Sequence, residues 1–293
     1  MKQTLWMMIL CLAFFSACHK ADDTGVVDLG IDYCINEDPL VFDTLRYQNE
    51  AGNRLMITEI QWFVSRVMLQ DKNGEWIPFG AGDNLYYFDT DLPETHHIQS
   101  QELPVGHYQA IRFTFGLDEE DNITGRFPNP PESNMFWPVP LGGGYHYMKM
   151  NGRWLNEKQE LAPFNLHLGT GQNADHTVFY PNHFSVTLPL DLHLEANRKN
   201  HLQLTMIIDN WFRTPHTYDL NHFGGAIMQN QEAQQILKEN GHDVFSICTQ
   251  NTRWSDIAHP VKAIMGKAAP KPHFYTKENM KELLSHITHK NSH

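Results

Sequence analysis

Along most of the chain, apolar and polar side chains alternate with a period of two, in short runs broken by Gly, Pro, Asn and Asp. That is the signature of half-buried strands joined by tight turns. The run Arg54 to Gln70 (RLMITEIQWFVSRVMLQ) is rich in β-branched and aromatic residues. Asp71-Lys72-Asn73-Gly74 then forms a hairpin-type turn, and Glu75 to Phe79 returns. Strand character extends over Asp38 to Tyr47, Leu85 to Asp89, His107 to Gly116, Phe164 to Gly169, His183 to Glu195, His201 to Trp211 and Val244 to Ile247. Pro189 marks an edge or a break in its strand. Helical periodicity appears late. Gln231 to Gly241 is a helix stopped by its glycine, and Thr276 to Thr288 is a short amphipathic one with Met280, Leu283, Leu284 and Ile287 as its stripe. Many short strands and one or two late helices predict an all-β fold, an antiparallel β-sandwich over residues 28–250, followed by a tail over 251–293.

One stretch stands apart. Met135 to Trp154 (MFWPVPLGGGYHYMKMNGRW) passes from aromatics through a Pro-X-Pro turn and three glycines into an alternating segment. Alternation from Gly144 onward predicts His146, Met148 and Met150 on one face, and Tyr145, Tyr147 and Lys149 on the other. An imidazole beside thioethers suits a soft metal such as Cu(I), while methionines on a strand also serve as core filler.

Composition adds metal handling and removes nucleic acid. Net charge is −12, which disfavours a phosphate backbone as partner. Eighteen histidines against 22 Lys plus Arg is a large excess of the commonest metal ligand. His96 and His97, adjacent on the chain, are expected to be solvated, as is the acidic loop Asp118 to Pro131.

The N-terminus gives an address. Lys2, the apolar run Leu5 to Phe15 and Ser16-Ala17-Cys18 resemble a bacterial lipoprotein signal. The run is too short to span a bilayer. Residues 1–17 are expected to be removed, Cys18 lipidated and residues 18–27 to act as a tether. The chain is then anchored to the outer membrane, on its periplasmic or surface face. Lys20, Asp22 and Asp23 resemble surface-export signals of Bacteroidetes lipoproteins. Cys34 and Cys248 remain and are expected to pair as a disulfide in an oxidising compartment.

Several ordered pieces resemble one family, the MbnP-like copper-binding proteins. The pieces are ITEIQWFVSRVML, LPVGHYQAIRFTFGLD with Asn122 following, FW…GYHYMKMNG, FNLHLG and DNWF…NGHDVF, spread from Leu40 to Ile247. The chain departs from the family at Asn151, where an acidic residue is usual, and in carrying His146. The resemblance implies copper binding on a β-sandwich beside a diheme cytochrome c peroxidase-like partner. It also implies, in some relatives, a tryptophan converted to kynurenine, for which Trp137 and then Trp62 are the candidates here.

Candidate metal ligands are His167, His146, His176 and Met148. His167 sits between Leu166 and Leu168 and so faces away from them. His176 follows in the next loop, within reach of that strand. Two imidazoles at low coordination number favour Cu(I), whereas three would permit zinc. No Gly-X-Ser-X-Gly and no HExxH occurs in the sequence, and no enzymatic turnover is expected. The alternative is a surface lipoprotein that binds glycan or peptide on an aromatic platform of Trp137, Tyr145 and Trp154.

Overall fold

In the computed structural model, residues 23–250 apart from Asn197 are described. The strands in chain order are β1 Thr24–Ile35, β2 Asp38–Pro39, β3 Tyr47–Gln48, β4 Arg54–Asp71, β5 Trp76–Pro78, β6 Leu85–Asp89, β7 His97–Gln99 and β8 Leu103–Pro104. They continue with β9 Gly106–Phe115, β10 Met148–Leu155, β11 Leu161–Leu168, β12 Gly171–Gln172, β13 Phe179–Tyr180, β14 Phe184–Leu194, β15 Lys199–Ile207 and β16 Phe245–Gln250. The helices are α1 Leu220–Phe223 and α2 Gln231–Asn240. Asn230 caps α2 by accepting from the Ala233 amide, which satisfies one of the donors left free in a first turn.

Two sheets enclose the core. The larger runs β11-β10-β4-β9-β14, with β3, β5 and β6 also paired to β4; the smaller runs β16-β15-β1-β2. Pairing is antiparallel except between β1 and β15. The long strand β4 is the hub: its apolar residues alternate towards its two ends, and the run Trp62 to Ser65 between them is buried throughout. Leu55, Ile57, Ile60, Trp62 and Leu69 are all buried. Trp62 lies at the centre of the core, with Phe88 and Phe245 at ring centroid distances of 4.9 and 5.3 Å. The all-β, sandwich-like expectation holds.

Four expectations change. The stretch expected as tether gives residues 24–27 to β1, whose alternating Val27, Leu29 and Ile31 enter the core. Asp38 to Tyr47 forms turns, with strand only at the ends of the segment. The acidic loop is clamped rather than freely solvated. Arg66 pairs with Asp118, Glu120 and Asp121, and Arg126 with Asp83 and Asp121. The fourth concerns the cysteines. Cys18 and the Thr276 to Thr288 helix lie outside the described residues.

Cys34 and Cys248 are both free thiols. Cys34 aligns with Ile207 on one side of β15, and Cys248 with Gln203 on the other. Two inter-strand steps and four residues separate them, roughly 10 Å across and 13 Å along the sheet. A disulfide needs Cα atoms within about 7 Å. Burial, with Asp209, Asp32 and Glu37 nearby, pushes the Cys34 thiol pKa up, which also disfavours a thiolate metal site. A disulfide closing so long a loop would contribute about 5 kcal/mol. Adding reductant is therefore expected to leave Tm unchanged, and alkylation of the denatured chain should modify both cysteines. A fall in Tm on reduction would contradict the separated thiols.

Candidate metal centre

The centre is built where β10 and β11 pair. Met148 opposes Leu168 and Trp62, whereas Lys149 opposes His167 and Gln61. Directly opposed residues share a face, so His167 lies with Lys149, Gln61, Asn151 and Glu59 on the outer face. Met148 and Trp62 lie on the inner one. The chain between β9 and β10 folds back over that outer face. Within it, a small hairpin is closed by the Phe136–Tyr145 bridge and by the Trp137 amide donating to Gly144 O at 2.9 Å.

The three glycines make that hairpin possible. Gly142, Gly143 and Gly144 have φ of 113°, 67° and 81°, values that side chains oppose. A Cβ on Gly144 would also lie 2.2 Å from Asn122 Oδ1, the atom that accepts from the Tyr145 amide. The turn delivers His146 to the site. Its amide donates to Met135 O, and its ring Nδ1 lies 2.9 Å from the same oxygen.

Hydrogen bonding fixes the tautomer of each imidazole. Met135 O can only accept, so Nδ1 of His146 carries the hydrogen and Nε2 the lone pair. That Nε2 is buried and has no hydrogen-bond partner among the described residues, an uncommon state for a buried polar atom. For His167, Nε2 lies 2.9 Å from Asn151 Oδ1, and Asn151 Nδ2 donates to Glu59 Oε2 at 2.8 Å. A carboxylate only accepts, so it turns the amide oxygen toward His167. The hydrogen then sits on His167 Nε2 and the lone pair on Nδ1.

The rings of His146 and His167 meet edge to face, centroids 4.9 Å apart and planes at 88°. Trp137 also packs against His146, at 4.7 Å and 77°. Its Nε1 donates to Leu141 O at 2.9 Å, and its ring lies on Gly169, where a Cβ would come within 2.5 Å of Cε3. The glycine of FNLHLG thus seats the indole, while the histidine two positions earlier faces the same way.

Both imidazoles are held neutral. Burial first, then His167 and Lys149, brings the pKa of His146 down to about 3. Burial first, then Lys149, brings that of His167 down to about 4. Neutral imidazoles are the ligating form. The arrangement offers two bare nitrogens, no carboxylate in contact with either ring and an ammonium nearby. A monovalent soft ion fits this donor set better than a divalent one, which seeks four ligands and costs more to bury beside Lys149.

The remaining candidates lie elsewhere. Met148 and Met150 are fully buried in the hydrophobic core. Met148 opposes Trp62 on the inner face, whereas His146 meets His167 on the outer one, so the two do not share a face. Trp62 donates through Nε1 to Tyr33 Oη at 3.0 Å inside the core. His176 is exposed in the β12–β13 turn, where it lines a separate cleft with Tyr180, Gln231 and Glu232. Trp137, Tyr145 and Trp154 are 0%, 1% and 7% exposed, which removes the aromatic platform.

Sequence reasoning missed Asn151, Glu59 and Lys149 as neighbours of His167. It also missed Glu59, Asp89 and Asp91, whose carboxylates converge on the same face. Asp89 is engaged there by Tyr87 Oη at 2.7 Å and Gln61 Nε2 at 2.9 Å.

The structure resembles that of MbnP from Methylosinus trichosporium, with a TM-score of 0.52 and 12% identity over 77% of this chain and 99% of that one. At that identity the likeness speaks for the fold. No curated protein matches the chain. A family model described as MbnP matches residues 24–230, from the first strand to the residue before α2, and takes in both imidazoles, Trp137 and the glycine hairpin between them: the chain belongs to the MbnP family.

Proposed function

We propose that this protein is a lipid-anchored envelope protein that captures copper, with His146 and His167 as the ligands and no turnover of its own. Family membership suggests a copper-related role. The observation that carries the reading here is the buried, partnerless Nε2 of His146 in ring contact with a second neutral imidazole. A bound Cu(I) would satisfy that lone pair and supply soft, low-coordinate ligation. The chain's own residues do the rest. Met135 O and the Glu59–Asn151 pair orient the two rings, Trp137 keeps water from His146, and Lys149 keeps protons off both.

Trp137 is the tryptophan beside the ligands and the candidate for oxidation to kynurenine by a diheme cytochrome c peroxidase-like partner. The new aromatic amine would derive from the Nε1 now bonded to Leu141 O, on a ring in contact with His146. Titrating the full mature chain with Cu(I) against a chromogenic chelator is expected to show one equivalent held with a submicromolar Kd. Intact mass of native material reports lipidation of Cys18 and the state of Trp137. Failure to compete with the chelator under reducing and oxidising conditions would end the copper reading.

A further inference from the structure

A second group of ligating side chains lies at the other edge of the large sheet, on the solvent face of β9 and β14. His107 and His193 oppose each other directly across the ladder. Their rings stack with centroids 4.5 Å apart and planes at 26°. Asp191 lies on the same face. Its Oδ1 is 2.9 Å from His107 Nε2 and 3.6 Å from His193 Nδ1. One ligand atom from each of the three lies within 4.8 Å of the others.

The backbone is shaped for this. Between Pro189 and Leu192 the register shifts, so Leu190 and Asp191 together oppose Gln109. Such a bulge re-aims side chains and interrupts pairing at positions where strands carry sites. Leu192 and Leu194 stay buried on the inner face, which holds Asp191 and His193 outward together.

We propose that His107, Asp191 and His193 form a binding site for a divalent borderline cation of the zinc class. Two imidazoles and one carboxylate are a three-residue set typical of open zinc sites, with water completing the shell. Calcium and magnesium prefer all-oxygen shells, and Cu(I) gains little from an exposed carboxylate. Bonds of about 2.0–2.1 Å in a tetrahedron place ligand atoms about 3.3 Å apart. The two carboxylate–imidazole distances bracket that value, and the side chains have solvent on one side in which to adjust. The carboxylate also offsets part of the cation's charge. This site differs from the buried pair in donor set, exposure and strand, and it does not depend on the copper reading.

The test titrates the full chain with Zn²⁺ by calorimetry and with Co²⁺ by absorption, comparing wild type, a His107→Ala/His193→Ala variant and Asp191→Asn. Wild type is expected to bind one more zinc equivalent than the double variant, and to show cobalt d–d bands that the variant lacks. Asp191→Asn should weaken that equivalent about tenfold. The C-terminal histidines are present in every protein and cancel in the difference. Cu(I) affinity should be the same in all three. If the double variant melts earlier than wild type, the same comparison is made with His107→Gln/His193→Gln. Equal zinc stoichiometry and affinity in wild type and variant, or cobalt bands that persist in the variant, would overturn the site.

Discussion

Replacing His146 with alanine is expected to weaken Cu(I) binding at least about a hundredfold, more than the 10–100-fold typical of residues that only support a ligand. His167→Ala should do the same, since a two-nitrogen site loses half its donors with either ring. Asn151→Ala is expected to cost about tenfold, because it frees the His167 ring to turn and exchange tautomers without removing a donor. Met148→Leu and His176→Ala should leave the affinity within about twofold of wild type, being respectively a volume-conserving core change and a change at an exposed turn. Competition against a chelator of known affinity measures all five. A large loss in Met148→Leu, or none in His146→Ala, would displace the site from the imidazole pair. His146→Leu provides a check without metal. It removes a buried acceptor that has no partner, and with it the Nδ1–H bond to Met135 O, an oxygen that still accepts from the residue 146 amide; the gain and the loss offset within about 1 kcal/mol. The metal-free variant should therefore melt close to wild type while failing to hold copper.

How much of this was legible in the sequence depends on whether a feature is local. Strand β4 and helix α2 declared themselves through periodicity and caps, and they stand close to where the pattern put them. His167 was legible because alternation alone separates it from Leu166 and Leu168. The face shared by Asn151, Lys149 and Glu59 was not, since it depends on strand register. A shift of one residue exchanges every face, and the β10–β4 ladder itself shifts at Asn151/Gly152. Alternation puts Met148 on one face with His146, but the His146 amide bonds to Met135 while Tyr147 bonds to Leu168 and Phe63, and the regular alternation ends at that handover. The start of β1 was hidden by the polar HKADDTG before it, whose Asp22 and Asp23 read as a solvated tether over residues 18–27. The cysteine pair failed for a different reason. Compartment and count argue for a bond, but only the parallel pairing of β1 with β15 shows the offset between the thiols.

The metal-free protein is expected to lose stability as pH falls from about 6.5 to about 4, at roughly 2–3 kcal/mol per pH unit through the middle of that window. The sign follows from the two imidazoles. In the unfolded chain both titrate near 6.5, whereas in the fold burial and Lys149 bring His146 to about 3 and His167 to about 4. Between those values the unfolded state binds more protons than the folded one, so acid favours unfolding. Below about 3 the folded rings also take up protons and their contribution levels off. Asp118, held below the ordinary carboxylate range against its own burial by Arg66, loses its stabilising charge only at more acidic pH. The two effects therefore occupy separate windows. Chemical denaturation across this range, for wild type and for a His146→Leu/His167→Gln variant, isolates the pair because the other histidines cancel in the difference. The variant's stability should fall more slowly with acid, and parallel curves would contradict neutral, buried imidazoles. Copper binding to the folded protein should behave in the opposite way. No proton has to leave either nitrogen until pH approaches 4, so the Cu(I) affinity should stay flat from pH 7 to about 5, where an exposed histidine pair would already be losing it.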